Sequence, residues 1–113
     1  MTPRLPARLE ATALMRQVSA EGGFATVIAK GEPEAGTIMV VLCENGAGAR
    51  AYERMPTPDG DRIWQLTRRD DPDKPEDFSE WLSRRQHQDS DLWILELDIA
   101  GGERFIGLTA SPG

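Results

Sequence analysis

Thr37-Ile38-Met39-Val40-Val41-Leu42-Cys43 is the stretch that decides the fold. Ile38, Val40 and Leu42 alternate with Met39, Val41 and Cys43, so a strand over 37–43 is apolar on both sides. Such a strand belongs inside a sheet covered on both faces. Downstream, Asn45-Gly46-Ala47-Gly48 is a hairpin signal leading into a strand over 49–55. Arg50, Tyr52 and Arg54 share one side of it, and Ala49, Ala51 and Met55 the other. Pro56-Thr57-Pro58-Asp59-Gly60 turns the chain into a fourth strand over 62–67, with Arg62, Trp64, Leu66 and Arg68 on one side. Upstream, the Gly and Pro of 31–36 make a turn from a first strand over 24–30. Before that strand, Ala7, Ala11, Leu14, Met15 and Val18 form one apolar stripe of a helix over 7–18. Pro6 suits its first turn and Gly22-Gly23 its end.

Beyond the fourth strand the acidic loop 70–74 opens a second helix, with Asp73 and Glu76 at capping-box spacing and Phe78, Trp81 and Leu82 as its apolar face. A strand over 92–99 follows, and Gly101-Gly102 can fold a last strand, 103–108, back onto it. The tail ending Ser111-Pro112-Gly113 is expected to fray. The order α-β-β-β-β-α-β-β predicts an α+β fold: an antiparallel sheet of about five to six strands with two packed helices. With no internal repeat and no long linker, residues 1–113 form one domain.

Composition narrows the classes. Leu, Ile, Val and Phe total 23 of 113 residues, which gives a folded but thin core. The longest unbroken apolar run, Ile38 to Cys43, is far shorter than the roughly 18 residues that span a bilayer. The start, Met1-Thr2-Pro3-Arg4-Leu5-Pro6, lacks the apolar stretch of a secretory signal, and the single Cys43 makes no internal disulfide. A cytoplasmic setting without a membrane partner is the expectation. The net charge of −6 disfavours nucleic acid, because it repels phosphate backbones. Charge is unevenly spread: 70–80 carries six acids against Lys74, whereas 50–69 carries five arginines against three acids.

Three stretches carry a resemblance. They are Arg4-Leu5-Pro6-Ala7, Lys30-Gly31-Glu32-Pro33-Glu34-Ala35-Gly36-Thr37-Ile38 and Asp89-Ser90-Asp91-Leu92-Trp93-Ile94-Leu95-Glu96. Together they resemble a small alphaproteobacterial family of proteins of unknown function, DUF1491. The resemblance spans nearly the whole chain, with one departure: Ser90 stands where a proline is usual. It implies a bacterial cytosolic setting and no activity, substrate or catalytic residue.

Several motifs invite a chemical reading. Gly31-x-x-x-x-Gly36-Thr37 is half of a phosphate-binding loop, but Thr37 stands where the lysine is needed and two glutamates repel phosphate, so it reads as a turn. His87, Asp89, Asp91 and Glu96, with Asp98 nearby, are the only residues that could gather as Mg²⁺ or Mn²⁺ ligands and activate water. Cys43, ending a strand apolar on both faces, reads as a buried thiol and not a nucleophile. No Gly-x-Ser-x-Gly is present, and no catalytic residue is assigned. Trp64 with Arg50, Tyr52, Arg54 and Arg68 could form an aromatic patch rimmed by arginines, a composition that interfaces favour. The sequence therefore points to a protein-binding or self-associating module, expected as a homodimer through those five residues and needing no cofactor. The alternative is a divalent-metal hydrolase using the cluster at 87–98.

Overall fold

The computed structural model describes residues 5–59 and 62–108; Arg4, Gly60 and the tail Ser111-Pro112-Gly113, named above, lie outside them. Helix α1 (Ala7–Ala20) buries Ala7, Ala11, Leu14 and Val18 of the stripe expected from the sequence, and half-buries Met15. Gly22, with φ of 89°, ends it, and Gly23 N–H returns to the Val18 carbonyl. The strands are β1 (Phe24–Ala29), β2 (Ile38–Glu44), β3 (Ala47–Pro56), β4 (Arg62–Arg69) and β5 (Trp93–Asp98). Helix α2 (Pro75–Gln88) lies between β4 and β5.

β2 is buried from Ile38 to Cys43, as its two apolar sides require. It lies in the middle of one five-stranded sheet of order β1-β5-β2-β3-β4. On one face Ile38, Val40, Leu42, Tyr52, Trp93, Leu95 and Leu97 pack with α1. On the other, Met39, Val41, Ala51, Leu92 and Ile94 pack with Phe78 of α2, and with Trp81 and Leu82 beside it. Asn45 and Gly46, with φ of 53° and 76°, turn β2 into β3 as a two-residue hairpin. Both their N–H groups donate to the Asp98 carboxylate, at 2.7 and 3.0 Å.

Three expectations are corrected. The sheet is mixed, not antiparallel: β5 runs parallel to β2 and antiparallel to β1. The connection through α2 is the long crossover that a parallel strand needs. Residues 103–108 are not a strand. Gly101 and Gly107 are left-handed, with φ of 64° and 77°, and bracket a 3₁₀ turn, Gly102–Ile106. With β1 on one side of β5 and β2 on the other, no edge remains for a sixth strand to join. Finally, Asp73 does not cap α2. Pro75 takes the first helical position, where a missing N–H is harmless, Lys74 is the capping residue without a side-chain bond, and Asp71 accepts from Asp73 N–H instead.

Candidate functional site

The arginine and aromatic residues of β3 and β4 come first. Antiparallel pairing sets Arg54 opposite Trp64 and Tyr52 opposite Leu66. A bulge between Ala51 and Tyr52 then shifts the register, so that Arg68 faces Ala51 and falls on the α2 side of the sheet. There its guanidinium lies 5.6 Å from the Trp81 ring, with Arg85 at 5.7 Å. The other four residues gather on the α1 side, where the polar groups of Arg50, Tyr52 and Arg54 are engaged within the chain. Arg50 grips Glu103 with two bonds, at 2.6 and 2.8 Å, while Tyr52 OH donates to the same carboxylate at 3.0 Å. Arg54 bonds Glu10 of α1 at 2.8 Å and stacks over Trp64 at 4.5 Å. Glu103 is buried, and the Arg50 guanidinium holds its carboxyl down at about 2. These contacts fasten the 3₁₀ turn and α1 to the sheet. On the opposite face Arg85 fastens α2 to Glu53 with two bonds of 2.6 Å.

The four candidate ligands do not gather. His87 Nδ1 lies 2.7 Å from the Ser83 carbonyl of its own helix, and Asp89 accepts from Asp91 N–H at 3.0 Å. Glu96 sits within β5, paired with Thr26 and Val41. Among the described residues no three His, Cys, Asp or Glu side chains form a metal-holding group. Nor, among them, does any buried side-chain polar atom lack a hydrogen-bond partner. Burial first, then the nearby Glu96 and Asp98 carboxylates, pushes the Cys43 thiol up to about 11, far from a nucleophile's range.

The half phosphate loop has an architectural explanation. β1 and β2 are consecutive in the chain yet separated in the sheet by β5, so the connection 30–37 must stride over the start of β5. Glu32 N–H donates to the Asp91 carbonyl, Trp93 Nε1 donates to the Glu32 carbonyl, and Trp93 N–H donates to the Thr37 carbonyl. A Cβ on Gly31 would collide with the Asp91 carbonyl oxygen, and one on Gly36 would stand 2.5 Å from the same atom. Only glycine lets backbone cross backbone so closely. The same loop offers its Glu34 and Pro33 carbonyls to the N–H groups of Ala7 and Arg8, so the first amides of α1 are already satisfied. All three stretches that carry the resemblance thus meet at this crossing. Gly31→Ala should lower the melting temperature by an amount matching about 1–3 kcal/mol or more of overpacking. Gly46→Ala, where nothing lies within 4 Å, should lose only its backbone preference, about 1–2 kcal/mol. A Gly31→Ala protein that melts like the wild type would show that the loop can lift off β5.

The sequence reading missed the contrast between the two sheet edges. β4 carries Arg68 and Arg69, charges of the kind that keep an edge from pairing with other chains. β1, Phe-Ala-Thr-Val-Ile-Ala, carries no charge and no proline. Phe24 is 76% exposed, Val27 41% and Ile28 38%. The register shift between Val27 and Ala29 leaves Ile28 without a partner on β5. The signal was present as an uncharged strand between Gly22-Gly23 and Lys30-Gly31; what it lacked was its place in the sheet.

The sequence profile of a family described as "Protein of unknown function (DUF1491)" matches residues 5–107. A crystal structure of a DUF1491 family protein from Caulobacter crescentus CB15 superposes with a TM-score of 0.76 at 27% identity, covering 94% of this chain and 98% of that one. An NMR structure of a DUF1491 family protein from the same organism gives 0.78 at 26% identity over 96% and 97%. The solution structure of protein Atu0922 from A. tumefaciens gives 0.75 at 27% identity over 97% and 98%. No curated protein matches the chain. No helix among the described residues is long and apolar enough to cross a membrane.

Proposed function

This chain belongs to the DUF1491 family, and from its geometry we propose that it is a protein-binding module that receives an extended segment as an added strand beside β1. The carrying observation is the composition of that edge: uncharged, free of proline, and lined by exposed Phe24, Val27 and Ile28, with a single bulge at Ile28. A free edge offers a row of backbone donors and acceptors, and alternate side chains beside it supply selectivity. The Arg50–Trp64 side supports binding less well, because its arginines already hold Glu103 and Glu10 and Tyr52 is buried. The test compares the tagged wild type with Phe24→Lys and with Ile63→Lys, which places a charge on the opposite edge strand. Proteins recovered from a bacterial lysate, copies of this chain included, should be retained by the wild type and by Ile63→Lys and lost by Phe24→Lys. Equal recovery by all three, or none by the wild type, would overturn the proposal.

A further inference from the structure

We propose that the segment received beside β1 is a basic one from another protein, with arginine or lysine on one face and apolar side chains on the other; this rests on the strand-addition reading and names the chemistry of its occupant. Residues paired across strands share a face of the sheet, so the register says what an added strand would meet. Thr26 lies beside Glu96, and Glu96 beside Val41, which belongs to the α2 face. Phe24 and Asp98 pair two residues along on that same face. Ala25 and Val27 lie beside Leu97 and Leu95, on the α1 face. Pairing is regular from Phe24 to Val27, so the receiving stretch ends there, before the bulge.

The two faces ask for different side chains. Apolar packing under α2 reaches Ala29, Val41 and Ile94 but not Phe24 or Thr26. Glu96 and Asp98 are half-buried in that uncovered part, and among the described residues neither has a lysine or arginine partner. Asp98 accepts the N–H groups of Asn45 and Gly46, which leaves its negative charge without a cation. Beside it a cavity of about 220 Å³ opens between Phe24, Asn45 and Asp98. Strands lie about 4.8 Å apart, so a residue opposite Thr26 on the added strand stands roughly 10 Å from Glu96, within reach of an extended arginine or lysine. A residue opposite Phe24 meets an exposed aromatic ring with Asp98 behind it, which suits a guanidinium. On the α1 face, Ala25 and Met15 pack on the core and Val27 is exposed, so apolar side chains fit there. The opposite edge, β4, carries Arg68 and Arg69 and repels the same segment, so charge selects β1. The net charge of −6 draws such a partner toward the chain.

Fluorescence anisotropy of the full chain with two short capped peptides tests this, one alternating arginine with valine and one alternating glutamate with valine. The wild type and Ile63→Lys should bind the arginine peptide and leave the glutamate peptide free. Hydrogen exchange should place the new protection on the amides of 24–27. Glu96→Lys, with the wild-type circular dichroism, should weaken the arginine peptide roughly tenfold or more and bind the glutamate peptide instead, because a like charge now faces the arginine. Phe24→Lys should weaken the arginine peptide as well. Equal binding of both peptides by the wild type overturns the proposal, and so does arginine-peptide binding that neither variant weakens. A wild type that doubles its mass in sedimentation equilibrium and binds neither peptide assigns the edge to a second copy, which also overturns it. Recovery of lysate proteins that depends on Phe24, with neither peptide bound, would leave strand addition standing with an occupant of other chemistry; failure of both would remove both readings.

Discussion

Leu42→Asp should yield a chain that does not fold. Leu42 is fully buried in the middle strand of the sheet and lies against the 3₁₀ turn, where a Cβ on Gly102 would stand 3.0 Å from its Cδ2. Removing the leucine side chain forfeits about 2–5 kcal/mol of packing. The carboxylate that replaces it faces Arg50, which Glu103 already holds, and even protonated it is a polar group buried among Val40, Leu95 and Leu97. The sum approaches the whole stability of a small domain, about 5–15 kcal/mol. Insoluble protein, or a soluble one without a cooperative melt, is the expected observation. A variant melting like the wild type would place β2 outside the core.

Glu103→Gln should be the most damaging change at a polar residue, at up to about 3–5 kcal/mol, because it leaves the largely buried Arg50 guanidinium with only the exposed Glu44, 3.9 Å away, as counter-charge. Arg50→Met together with Glu103→Gln should be milder than the two losses added, since the stranded charge goes with its partner. The pair also sets a pH dependence. Arg50 first, with Tyr52 assisting, lowers Glu103 from 4.5 to about 2. The unfolded chain therefore takes up this proton before the folded one does. The contribution of Glu103 is complete above about pH 5 and disappears as pH falls toward 2. Over that window the wild type should lose stability more steeply than Glu103→Gln. Parallel declines, followed by chemical denaturation at each pH, would show that the carboxylate is not the group being titrated.

The legible part of this fold was written in periodicity. The doubled alternation of 38–43 placed β2 between two layers, the stripe from Ala7 to Val18 gave α1, and Asn45-Gly46 gave the hairpin. Strand order was hidden, because alternation records which faces are buried and not which strand lies alongside. β5 has apolar residues on both sides, as an interior strand should, but nothing local tells it to enter between β1 and β2. The last segment misled for a related reason: Phe105, Ile106 and Leu108 suit a strand, and only the absence of a free edge on β5 excludes one. The expected patch lost Arg68 to a bulge. One extra residue in β4 carries Arg68 through the sheet, and the acids that engage Arg50 and Arg54 come from distant elements, Glu103 and Glu10.

The placing of β5 has a consequence for how the chain reaches this state. Ile38 and Trp93 are neighbours although more than fifty residues separate them, and β1 has no strand beside it until β5 arrives. The hairpins from β2 to β4 close over short spans, so they can form early. The seam from β2 through β5 to β1 must wait for a long loop to shut, and loop-closure entropy is lost before any contact repays it. Folding slower than that of a helical bundle built on local contacts is expected. Insertion of β5 is the step expected to be slowest, and pulse-labelled hydrogen exchange should find the β1 amides protected no earlier than those of β5.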